Sequence, residues 1–111
     1  MVTCTIEMVF DDSEESEALR VLKTLVFPVR TEQDCLGTGL FHAVGEEEGI
    51  VWVSRWDRWE AFERHVRTAH FRLLLGVLEM ASEEPGILVE RSVERRGLEA
   101  IEEILVVEAR V

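Results

Sequence analysis

Residues 2–10 read Val-Thr-Cys-Thr-Ile-Glu-Met-Val-Phe, with apolar Val2, Cys4, Ile6, Met8 and Phe10 on one parity and Thr3, Thr5 and Glu7 on the other. No other feature constrains the fold as much. A side-chain period of two fits a half-buried strand and excludes a helix, because neighbouring strand residues point to opposite faces. Such a strand needs a second layer over its apolar face. The following residues supply one: Ala18, Leu19, Leu22, Leu25 and Val26 recur at helical spacing behind Asp12 and Glu15, which offer a capping box. Pro28 disfavours helical geometry at Phe27, so this helix either ends there or continues kinked toward Thr31.

Leu36 to Val44 predicts a second strand and Ile50 to Trp56 a third, joined as a β-hairpin through Gly45-Glu46-Glu47-Glu48-Gly49. Gly37 and Gly39 inside the second strand mark a bulge or a close approach by another group, the bulge being preferred. Asp57 and Glu60 offer another capping box. They open a helix whose Trp59, Phe62, Val66, Ala69, His70, Leu73 and Val77 share one stripe. Pro85-Gly86 closes it, Ile87 to Glu94 predicts a fourth strand, and Arg95-Arg96-Gly97 breaks the chain. The remainder is open between a helix carrying Leu98, Ile101 and Leu105 and a strand from Ile104 to Val111.

The order is β-α-β-β-α-β, the ferredoxin-like α+β arrangement: a four-stranded antiparallel sheet with both helices on one face. We assign residues 1–96 to this domain and 97–111 to a C-terminal extension. Val51 and Val53 lie opposite Trp52 and Trp56, so the sheet is apolar on both faces, and too little chain remains to cover the second. A second copy stacked about a twofold axis would cover it, making a homodimer, with the extension reaching across to the partner.

The chain has 111 residues, 47% of them hydrophobic, which suits one domain burying about 65% of its unfolded surface. Twenty-three acidic against twelve basic residues give a formal charge of -11, which repels nucleic acid and anionic membranes. No apolar run approaches the roughly 20 residues that span a bilayer, and Met1 to Thr5 do not resemble a signal peptide, so a cytoplasmic protein is expected. Cys4 and Cys35 lack Cys-x-x-Cys spacing and read as small core residues. Neither asparagine nor tyrosine occurs.

Asp34-Cys35-Leu36-Gly37 before the second strand, an aromatic strand ending in Trp56, Trp59-Glu60-Ala61-Phe62-Glu63-Arg64-His65 and Thr68-Ala69-His70-Phe71 together form a pattern. Over residues 2–94 the chain resembles the antibiotic biosynthesis monooxygenase family of dimeric α+β barrels. That resemblance implies a small oxygenase without metal, flavin or other cofactor, acting on an aromatic or quinol-like metabolite in a pocket between the second helix and the sheet. Family members also include haem-degrading enzymes, but the asparagine, tryptophan and histidine of that branch fall here on residues of other types, at His65 and Leu75 among them. The quinone-forming branch is associated with asparagine and tyrosine, which this chain lacks.

Cofactor-free oxygenation requires an electron-rich phenolate or carbanion, so the protein must deprotonate, orient and exclude water. His65 and His70 are the candidate bases, Trp52, Trp56 and Phe71 the candidate walls, Arg55 the candidate anchor for an anionic substrate, and His42 a further binding candidate. Each histidine reads equally as a polar filler of the core or of a dimer interface, and the tryptophans as core. Metal binding is disfavoured, because His65 and His70 stand about 140° apart on a straight helix. A break near Thr68, capping a fresh turn, would bring them together, with His42 as a third ligand. Two alternatives stay open: a non-catalytic dimeric module binding a small hydrophobic ligand, and an isomerase or lyase using a histidine as proton shuttle.

Overall fold

The computed structural model describes residues 1–45, 48–93 and 97–109. The predicted turn residues Glu46 and Glu47, the strand end at Glu94, the break at Arg95 and Arg96, and Arg110 and Val111 lie outside the described residues. The elements are β1 (Val2–Met8), α1 (Asp12–Arg30), β2 (Cys35–His42), β3 (Ile50–Trp56), α2 (Trp59–Val66), α3 (Ala69–Leu78), β4 (Gly86–Arg91) and α4 (Leu98–Ala109). The strands form one antiparallel sheet in the order β2-β3-β1-β4. This is the expected ferredoxin-like topology, reached because β1 and the β2–β3 hairpin carry the period-two pattern and the segments between carry the helical one.

Alternation sorts the sheet into two faces. Val2, Cys4, Ile6 and Met8 of β1 and Ile50, Trp52, Ser54 and Trp56 of β3 are buried on the helix side. Against them α1 sets Ala18, Leu22, Leu25 and Val29, spaced by whole turns, and α3 sets Leu74, Val77 and Leu78. On the opposite face lie Val51, Val53 and Arg55, which pair in register with Glu7, Thr5 and Thr3. Phe41 and Leu88 share that face and are more than half exposed. Between Cys35 and Gly37 the β2–β3 register shifts, the expected bulge. At Gly39 there is also a close approach: a Cβ there would meet the Phe41 ring at 2.6 Å.

Two sequence expectations need correction. Neither capping box forms. The first helix is capped at Asp11 and the second at Arg58, neither through a side chain. The acidic residues Asp12, Glu14 and Glu15 instead stand in the first turn of α1, where they complement the helix dipole. The single long second helix is two helices. Thr68 Oγ1 accepts the backbone N–H of Phe71 at 3.2 Å and donates to the His65 carbonyl at 2.7 Å, ending α2 and starting α3. Of the helix and the strand left open for the C-terminal segment, the helix forms, over Leu98–Ala109, following the Leu98, Ile101, Leu105 spacing. Pro28 does not stop α1, which runs two residues further to Arg30 and is capped at Thr31. No helix among the described residues is long and apolar enough to cross a membrane.

Candidate active site

The continuation of α1 past Pro28 sets the position of the turn that follows it. Immediately after the helix, Glu32 to Cys35 make a tight turn closed by a bond from Cys35 N–H to the Glu32 carbonyl at 3.1 Å. Asp34 takes φ of 63°, a left-handed conformation that aspartate tolerates better than most residues. The turn is then stapled to α2 by three consecutive side chains. Gln33 Oε1 accepts from Arg64 at 2.8 Å, and the Asp34 carboxylate lies 3.5 Å from Arg64 and 3.8 Å from Arg58. Glu32 accepts from His65 Nδ1, with both oxygens within 3.1 Å.

The break at Thr68 turns α3 so that His70 reaches the same carboxylate, its Nδ1 lying 3.2 Å from Glu32 Oε2. One carboxylate therefore holds two imidazoles that a straight helix would separate by about 140°. Exposure is graded: the side chain of His65 is 1% exposed, Glu32 16% and His70 38%.

Rings enclose His65. Trp56 stacks on it with centroids 4.4 Å apart, Phe71 meets it edge-on at 5.2 Å, and Phe62 lies at 6.4 Å. Trp56 is itself fixed by a bond from Nε1–H to Ser54 Oγ at 3.1 Å. Burial pushes the His65 imidazole below its ordinary pKa; the Glu32 carboxylate opposes that shift, and His70 adds to it. A neutral imidazole with Nδ1–H donated to Glu32 carries its lone pair on Nε2. That Nε2 is buried and has no hydrogen-bond partner among the described residues, and the same is true of Trp52 Nε1.

The structure thus gathers His65, His70, Trp56 and Phe71 and places Trp52 on the same face of β3. It does not bring Arg55 or His42 to them. Arg55 follows Ser54 and precedes Trp56 on a strand, so it points to the other sheet face, where its guanidinium lies 3.4 Å from Met1 Sδ. His42 is exposed at the far end of the hairpin, opposite Ile50, whereas Trp56 pairs with Cys35 at the near end. The three-histidine metal set is therefore not assembled. The expected pocket between the second helix and the sheet is occupied by protein: Trp52, Trp56 and His65 are each no more than 1% exposed and fill the seam. Glu32 was missed by sequence reasoning, since nothing in helical or strand periodicity marks a carboxylate in a turn.

Residues 1–77 match the profile of the family described as antibiotic biosynthesis monooxygenase. No curated relative matches the chain. Among solved structures, one described as an antibiotic biosynthesis monooxygenase is similar at 22% identity and a TM-score of 0.72, covering 85% of this chain and 100% of that one. A protein of Mycobacterium tuberculosis is similar at 16% identity and a TM-score of 0.76, over 86% of this chain and 98% of its own. One of Methanosarcina mazei is similar at 17% identity and 0.75, over 83% and 92%. At these identities the likeness is one of fold.

Proposed function

The chain belongs to the antibiotic biosynthesis monooxygenase family, and from that premise we propose that it is a cofactor-independent monooxygenase acting on a small aromatic or quinol-like metabolite, with His65 as the base. One observation carries the reading: His65 has its Nδ1 tied to Glu32 and its Nε2 buried among rings without a partner. A carboxylate that fixes the tautomer of a histidine and leaves the other nitrogen basic is the arrangement general bases use. Nε2 takes the proton of an acidic O–H or C–H, leaving a phenolate or carbanion, and Glu32 stabilises the imidazolium that forms. Dioxygen is the oxidant that this electron-rich anion reduces. The Trp52 indole N–H supplies a donor for a carbonyl or developing oxyanion.

Trp52, Trp56 and His65 fill the seam, so a substrate reaches Nε2 only when the rings or the α2–α3 link shift. That filled seam favours a second reading, a non-catalytic module. We further propose that two copies assemble through the sheet face bearing Phe41, Val51, Val53 and Leu88, the barrel arrangement of the family.

Oxygen uptake with naphthols, anthrones and hydroquinones separates the readings. A catalysed rate lost in His65→Ala, and reduced in His70→Ala, supports the oxygenase. Equal background rates in wild type and both variants support the module, and substrate turnover without oxygen uptake points to an isomerase or lyase.

A further inference from the structure

At the end of the sheet away from the hairpin tip, the start of β1, the end of β4 and the start of α2 border a shallow, open cavity of about 440 Å³. Its walls carry an unusual charge for so acidic a chain. Arg91 lies with its guanidinium carbon 4.3 Å from the centroid of the Trp59 ring and, among the described residues, has no carboxylate partner. Arg58 has, among the described residues, a 3.8 Å approach to Asp34, a carboxylate it shares with the nearer Arg64. Against these two guanidinium groups the described lining of the cavity presents one carboxylate, Asp57. In a chain with 23 acidic residues, two cations facing one lining carboxylate leave a local excess of positive charge.

We propose that this cavity binds a small organic monoanion with a planar apolar body, an aromatic carboxylate being the simplest case. The carboxylate bonds to the Arg91 guanidinium, whose fork matches its two oxygens. The ring rests on Trp59 and on the exposed apolar side chain of Val93. The size is within the range of about 300–1,000 Å³ typical of small-molecule sites. A polyanion is disfavoured because the formal charge of -11 repels it at distances where the local cluster no longer dominates. This site is separate from His65 and stands whether or not His65 acts as a base.

Titration of the isotope-labelled full chain with benzoate, acetate and benzyl alcohol, followed by NMR at the Trp59 indole, tests it. Benzoate should produce a saturable shift, with acetate and benzyl alcohol each at least about tenfold weaker, since one lacks the ring and the other the charge. Arg91→Gln should weaken benzoate about tenfold, Arg91→Lys should weaken it less, and Arg20→Gln, on the remote surface of α1, should leave it unchanged. Arg91 is exposed, so these variants keep the core intact, and unchanged melting temperatures check that. The proposal is overturned if benzoate gives no saturable shift at Trp59, or binds Arg91→Gln as well as wild type. It is equally overturned if the signal follows protein concentration alone, which would assign the cluster to contact between copies.

Discussion

Glu32 is the residue on which the site turns, and it shows why residue-scale function is hard to read from sequence. His65 and His70 are legible as candidate bases because imidazole titrates near neutrality; Glu32 sits in a polar turn of a chain with 23 acidic residues, and only the fold brings it to them. Arg55 shows the opposite case: as the immediate neighbour of Trp56 on a strand, its parity alone places it on the other face. Replacing Glu32 by Gln removes the charge that holds Nδ1–H and stabilises the imidazolium, so we expect kcat to fall by about 10²-fold or more with little change in KM. The His65 pKa is lowered from 6.5. As pH drops below that value, the unfolded chain binds a proton that native His65 refuses, so stability falls until native His65 itself titrates. Denaturant unfolding between pH 7 and 5 should show that decline, and His65→Gln should flatten it. Activity should hold through that decline and fall only at lower pH, where native His65 itself takes up a proton, because only the neutral imidazole is a base.

Among the elements, those with a clean period were legible: β1, the β2–β3 hairpin and the buried stripe of α1. Helix ends were less so. Asp12 and Asp57 have the composition of caps without the geometry, since the first residue with a side chain free to cap depends on where the preceding strand lets the chain turn. Thr68 ends one helix and starts the next because its hydroxyl competes for backbone bonds, yet the apolar stripe runs on past it, so spacing alone predicts a single helix. Substitution of Thr68 by Ala removes the acceptor for Phe71 N–H and the bond to the His65 carbonyl. We expect a loss of about 1 kcal/mol and a melting temperature lower by about 4 °C, together with a weaker oxygenase rate as His70 drifts from Glu32. An unchanged melting curve would mean that α2 and α3 are held apart by packing instead.

For the whole molecule, alternation along the strands leaves one face of the sheet to be covered, and the proposed cover is a second copy. The helices cover one sheet face; the other carries Phe41, Val51, Val53 and Leu88, and among the described residues no helix is packed over it. This need for a cover was visible in the apolar residues of both parities, whereas the identity of the cover is not written in any pattern. Light scattering should give about twice the mass of one chain. Val53→Glu, which puts a charge on β3 in the middle of that face, should shift the population to monomer. A monomeric wild type would remove the pairing and leave the sheet face to another partner.

The proposed base is a neutral His65 whose proton sits on Nδ1 and whose buried Nε2 has no partner among the described residues. The ¹⁵N chemical shifts of that ring, followed from pH 8 to pH 5, test it directly. We predict a protonated Nδ1, an unprotonated pyridine-type Nε2 at neutral pH, and titration below 6.5. A ring already charged at pH 7, or one carrying its proton on Nε2, would contradict it.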